Sequence, residues 1–230
     1  MSELRLVAED LWETTTPLHL GPLRMDHRMT VARLASGVLW VHSPVAYTDQ
    51  LRAALEALGK VGYLVAPSIF HDLYWPEWFQ AYPDACFCAA PGLDQVLTDL
   101  HFSVELAADP CADWRDDLDQ VLLAGMPRVN ETVFLHRASG TVIAADMVFN
   151  YDATYQLNLA SQLILRMSGT HGRLAMSRLF RMGIKDRNAT RGSIARVLSW
   201  EFDRLLVGHG SVVARNARAV LAEACHVLDR

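Results

Sequence analysis

Three polar side chains follow apolar stretches of this 230-residue chain, at the places where a layered α/β protein gathers its chemistry. His71 comes after the apolar run 61–66, Asp146 ends the β-rich run 141–145, and His209 follows 204–207 between Gly208 and Gly210. In open α/β sheets, ligands collect beyond the carboxyl ends of the strands, because the loops converge there while the sheet stays rigid. Two imidazoles and a carboxylate brought together at such a place make a divalent-metal site. Glycines on both sides of His209 let the backbone turn sharply and approach a ligand closely. Each residue alone has a plainer reading: a histidine after a strand serves as a hydrogen-bonded structural residue, and Asp146 serves as a turn cap. Three such residues on separate strand ends argue more strongly together.

Other polar and aromatic residues are weaker candidates. His42 precedes Ser43 and Pro44 at a strand end, where it either fills the interior or lines a pocket. Tyr74, Trp75 and Trp78 follow the His71 loop and read as helix core or as a hydrophobic pocket wall. Cys86 and Cys88 alternate on one strand and therefore share a face. The spacing of Cys86, Cys88, Cys111 and Cys225 matches no zinc knuckle, so reduced thiols in a cytoplasmic chain are expected. A Gly-x-Ser-x-Gly nucleophile elbow and a phosphate-cradling glycine loop are both missing from the sequence.

The elements that must position these groups can be read from periodicity. Residues 29–34 and 38–42 are β-rich and flank a Gly-containing loop, which predicts a hairpin. Thr48 or Asp49 caps a helix to Leu58 with Leu51, Ala54, Leu55 and Leu58 on one face, and Gly59 stops it. The run 61–66 has the uniform apolarity of a central strand, ended by Pro67. A helix over 75–82 begins with proline near its first position, and a strand over 86–90 follows. The resulting ββαβαβ order is that of a layered α/β protein. No long element is predicted between Asp94 and Gly125. Further on, strands are expected over 131–136, 141–146 and 204–207, two or three helices over 155–200, and a last helix over 214–228.

Composition narrows the function classes. Apolar residues make up 51% and charged residues 20%, which excludes intrinsic disorder. No apolar run approaches the roughly 20 residues a bilayer-spanning helix needs, so no membrane partner is expected. The charged start, Met1-Ser-Glu-Leu-Arg-Leu, does not read as a signal peptide. A net charge of −5 argues against a nucleic-acid partner. Eight acidic residues between Asp94 and Asp119 face only Arg115, whereas 151–200 holds eight Arg and Lys against Asp152 and Asp186. These are either two solvated faces or, in the second case, a wall that attracts an anionic substrate. No internal repeat or low-complexity linker divides the chain, so residues 1–230 are expected to form one domain with a helical basic segment at about 151–200.

The order of these pieces resembles the metallo-β-lactamase superfamily. There a strand leads into a histidine-rich loop and a helix, a later hairpin ends in an aspartate, and a late strand ends in Gly-His. The matching segments are Leu64 to Asp72, Val142 to Asp146 and Val207 to Gly210. The strings 30–34, 39–44, Trp78, 82–85 and 91–93 resemble an uncharacterised branch of that superfamily. The resemblance covers roughly residues 25 to 215 and implies a four-layer αββα sandwich.

Departures from the pattern bear on the site. The superfamily's loop reads His-x-His-x-Asp-His, but here the loop is Pro67-Ser-Ile-Phe-His-Asp72, with one histidine in place of three. Depending on register, His71 and Asp72 fall on the last two positions in swapped order, or His71 falls on the final histidine. The superfamily's third histidine, ahead of the aspartate hairpin, has no counterpart here; the nearest polar residue is Glu131, at the start of the preceding strand. The resemblance thus implies His71, Asp146 and His209 as metal ligands, with Asp72 or Glu131 as a further ligand or proton shuttle. Such an N/O set accepts one or two divalent ions, zinc or iron. Three functions are compatible with it: a metal-dependent hydrolase of a small anionic or acyl-bearing molecule, a non-haem iron oxygenase on the same fold, or a degenerate non-catalytic binding protein. The oligomeric state is not specified by the sequence.

Overall fold

The computed structural model describes residues 3–229; Met1 and Ser2, the start of the charged N-terminal stretch, lie outside the described residues. The first sheet holds β1 (Arg5–Ala8), β2 (Leu11–Leu20), β3 (Leu23–Arg33), β4 (Val38–His42), β5 (Lys60–Ala66), β6 (Cys86–Ala89) and β7 (Val104–Glu105), in that spatial order. β1 to β4 are antiparallel and β4 to β7 are parallel. Parallel neighbours need crossovers; α1 (Asp49–Leu58) joins β4 to β5, α2 (Trp75–Ala81) joins β5 to β6, and the 90–103 segment joins β6 to β7. Thr48 caps α1 by accepting from the Leu51 backbone N–H at 3.1 Å.

A second sheet begins with β8 (Leu118–Leu122), β9 (Thr132–His136) and β10 (Thr141–Ile143). The chain then forms β11 (Phe149–Asp152), α3 (Leu159–Ser168), β12 (His171–Gly172) and β13 (Leu174–Ala175), with β12 and β13 flanking β11 in a small third sheet. Next come α4 (Arg178–Met182) and α5 (Arg187–Ser199). β14 (Arg204–Leu206) returns to the second sheet, parallel to β10, and α6 (Ala217–Cys225) closes the fold.

Three separate apolar interiors make the layers. Alternation along β4 sends Leu39 and Val41 toward α1 and α2, where they meet Leu51, Leu55, Trp75 and Trp78. The intervening Trp40 points into the space between the sheets with Val65, Trp114, Phe134, Ile143 and Leu206. On the far side Val133, Leu135, Val142 and Leu205 meet Ile194, Val197 and Leu221 from α5 and α6. Helices, sheet, sheet, helices is the expected αββα sandwich. Strands buried on both faces carry largely apolar runs, and the 61–66 stretch of β5 shows this in the sequence. Among the described residues no helix is long and apolar enough to cross a membrane.

Several boundaries differ from the sequence reading. The expected hairpin exists as β3 and β4, with Thr30 opposite His42, but β3 begins at Leu23 and pairs along its length with β2. β2 escaped notice because Thr14, Thr15, Thr16 and Pro17 interrupt any apolar alternation. β8 lies inside the region predicted to lack elements; the acidic run before it hides the buried Trp114 and Leu118. The strand expected over 141–146 ends at Ile143, so Asp146 sits in the loop beyond it. The last helix runs from Ala217 rather than 214.

Candidate metal centre

The strand ends converge at one rim of the sandwich. His71 follows β5, Asp146 follows β10 and His209 follows β14. One ligand atom from each lies within 4.8 Å of the other two, and all three residues are buried. His71 Nε2 and His209 Nε2 each stand 3.4 Å from a different oxygen of Asp146. Burial pushes the Asp146 pKa up, but the two imidazoles outweigh it and hold the carboxyl well below its ordinary value.

Each ligand candidate is fixed from behind. His209 Nδ1 bonds the backbone carbonyl of Asp26 in β3, which leaves Nε2 directed at Asp146. His71 Nδ1 lies 2.5 Å from Ser43 Oγ, and Trp75 Nε1 donates to the His71 carbonyl at 2.8 Å. Ser68 Oγ donates to Asp146 Oδ2 at 2.8 Å. The loop around His209 is threaded between β3 and β11. The Arg28 N–H donates to the Gly208 carbonyl at 2.9 Å, and the Ser211 N–H to Asn150 O at 2.7 Å. A Cβ on Gly208 would fall 2.6 Å from Ala145 O, and one on Gly210, at φ +96°, 2.2 Å from Asn150 O. The two glycines flanking His209 therefore serve backbone packing as well as ligand approach.

The two carboxylates expected as a further ligand or shuttle are placed differently. Glu131 is fully buried, but its oxygens accept the backbone N–H groups of Ala145 and Asp146 at 2.8 and 3.0 Å. It holds the loop that carries Asp146. Burial first, and then the Asp146 charge, raise its pKa well above the ordinary carboxyl value. Asp72 is half-buried and is not one of the three clustered residues. In the Pro67–Asp72 loop it is thus His71 that meets Asp146. His42 does not line the site: strand alternation turns it between the sheets, stacked on Trp40 at 5.5 Å. Trp75 and Trp78 are core, while Tyr74 stands 5.9 Å from the ring of His27.

His27 itself was not foreseen. Its ring lies 4.9 Å from that of His71 and 6.1 Å from that of His209. Ser43, at the positive φ of 56°, places Oγ 3.1 Å from His27 Nε2 as well as beside His71. Burial, then the charges of His71 and His209, lower the His27 pKa well below its usual value, so it is a neutral imidazole. Phe149 stacks on the His209 ring at 5.1 Å and 9°. Nothing local marks His27, which sits mid-strand in β3, two sheet neighbours away from β5. Ser43 had one visible signal, its place at a strand end before proline.

Comparison with known proteins agrees with this architecture. A metallo-β-lactamase from Pontibacter korlensis superposes with a TM-score of 0.69 at 12% identity, covering 100% of both chains. A metal-soaked flavodiiron core from Synechocystis gives 0.70 at 9% identity, over 99% of this chain and 61% of that one. A Pseudomonas aeruginosa metallo-β-lactamase in its mono-zinc form gives 0.65 at 10% identity, over 97% and 94%. Likeness at such identities is one of fold. No curated protein matches the chain in sequence. A family model does match residues 9–163, which include His71 and Asp146 but stop short of His209. The chain has the metallo-β-lactamase fold and belongs to the family described as Domain of unknown function (DUF4336).

Proposed function

We propose that this chain is a metal-dependent hydrolase-like enzyme of a small molecule, with one divalent ion held by His71, Asp146 and His209. The observation that carries this reading is His71 Nε2: it is buried, has no hydrogen-bond partner, and faces Asp146 at 3.4 Å. A bare ring nitrogen in a protein interior costs about 1–3 kcal/mol, and an ion between the three residues would satisfy it. Two imidazole nitrogens and a carboxylate oxygen suit zinc or iron. When bound, the ion supplies Lewis acidity and lowers the pKa of an attacking water.

This chain's own residues do the remaining work. Asp26 and Ser43 orient His209 and His71, and Glu131 and Ser68 orient Asp146. Ser43 Oγ lies between His71 Nδ1 and His27 Nε2 and holds the two rings in place relative to each other. The two-histidine, one-carboxylate set and the flavodiiron likeness support a second reading, iron chemistry with oxygen on the same residues.

Elemental analysis of protein purified without a histidine tag or chelator tests the proposal. About one zinc or iron per chain is expected, lost in His209→Ala. Ferrous-iron-dependent oxygen uptake would select the second reading. No metal after incubation with zinc, iron or manganese, or full occupancy in His209→Ala, would refute the centre and leave a non-catalytic binding protein.

A further inference from the structure

Helix α3 turns an apolar face outward as well as inward. In a surface helix of a globular protein the apolar stripe faces the core. Here the inward positions include Ser161, whose Oγ accepts from the Arg24 N–H of β3 at 2.8 Å, and Leu165. Leu159, Leu163 and Met167, spaced four apart on one face, are instead 83%, 60% and 65% exposed. The chain continues directly into a second exposed pair on α4, Leu179 and Met182, at 72% and 76%. The two helices adjoin, since a Cβ on Gly169 at the end of α3 would lie 3.9 Å from the Arg178 side chain at the start of α4.

Charge on this surface has one sign. From residue 153 to residue 185 there is no Asp or Glu, while Arg166, Arg173, Arg178, Arg181 and Lys185 are cationic. Among the described residues, none of these five cations makes an ion pair. Arg166, Arg173, Arg178 and Lys185 are exposed, interleaved with the leucines and methionines.

We propose that the α3–α4 face docks on an anionic lipid bilayer, lying in its interface rather than crossing it. A phospholipid surface offers both chemistries that the face lacks: phosphates for unpaired arginines and acyl chains for outward leucines and methionines. A second copy of this chain fits less well, because a two-fold contact would set the same cations against each other. The chain has no apolar run long enough to span a bilayer, and a surface-lying helix needs none. The inference is independent of the metal.

Co-sedimentation of the full chain with vesicles tests it, using phosphatidylcholine alone and phosphatidylcholine with about a third phosphatidylserine. Binding to the anionic vesicles is expected at low ionic strength, weakening with salt, with little binding to neutral ones. Arg166→Gln with Arg178→Gln should weaken binding roughly fivefold per cation removed. Leu163→Asp with Met167→Asp should abolish it. All four sites are exposed, so melting temperatures should stay near that of the parent. Failure to pellet with anionic vesicles at low salt would overturn the proposal, and so would unchanged binding by the double Asp variant. A lipid-free dimer that Leu163→Asp dissociates would assign the face to a second copy and equally overturn it.

Discussion

Arg28 joins the first sheet to the loop that carries His209, and replacing it with methionine measures how far the site depends on that join. The guanidinium is buried in β3. Its Nη1 pairs with the Glu13 carboxylate, its Nε donates to the Val207 carbonyl at 2.8 Å, and its Nη2 donates to the Gly210 carbonyl. Methionine keeps an apolar stem in place while removing every donor. Removing one partner of a buried pair typically destabilises by about 3–5 kcal/mol. Glu13 is not left wholly alone, because Arg5 also reaches it at 2.8 Å from a side chain that is 59% exposed. That favours the lower end for the ion pair, and the two stranded carbonyls add to it, at about 1–3 kcal/mol for each group that finds no water. A net loss of about 3 kcal/mol follows where water reaches both carbonyls and about 4–6 kcal/mol where one is stranded, or a melting temperature lower by roughly 6–24 °C for a chain of this size. Because the same bonds set the 207–210 backbone, zinc or iron affinity should fall by about 10- to 100-fold. Urea unfolding of metal-free protein and competition titration of the metal would measure the two effects. Adding Glu13→Leu should restore part of the stability, since both charges are then gone. If Arg28→Met unfolds within about 1 kcal/mol of the parent and binds metal as tightly, the staple is not what places His209.

Two further perturbations follow from buried groups. His42 is fully buried with neither ring nitrogen partnered, and burial, followed by the His71 charge, lowers its pKa well below 6.5. Above pH ~6.5 both folded and unfolded states hold it neutral. Below that pH the unfolded chain takes up a proton that the folded one refuses, so stability falls by up to about 1.4 kcal/mol per pH unit until the folded pKa is reached. His42→Phe should remove that part of the slope in unfolding measurements from pH 7 to 5; parallel curves for the two proteins would contradict the reading. Gly210→Ala should destabilise by at least about 2 kcal/mol and weaken metal binding, because the new Cβ meets backbone. Gly37→Ala, at a φ of +81° with nothing within 4 Å, is the control and should lose only about 1 kcal/mol. Equal losses at the two glycines would remove the packing explanation.

Local patterns in the chain carried a good part of the fold. The 61–66 run within β5 carries no charged side chain, because both faces of that strand are covered. α1 shows its cap at Thr48 and its stop at Gly59. The placement of His71, Asp146 and His209 just beyond three strand segments was likewise legible, since a strand's period and the residues that end it are local properties. β2 and β8 were not, because threonines, a proline and an acidic run mask their alternation. Nor were the partners of the three candidate ligands. His27 is 44 positions from His71, and Arg28 reaches the Val207 carbonyl across a separation of 179. Glu131 read as a candidate ligand from its position, but the loop it faces directs its oxygens to the N–H groups of Ala145 and Asp146. His42 and Ser43 show the division most clearly. Strand alternation sends the histidine between the sheets, while the left-handed turn that follows brings the serine to the site. A sequence records which face and which end of an element a residue occupies. Which ends meet is decided only when distant strands pair, because the energy of that pairing belongs to two segments at once and leaves no trace in either alone.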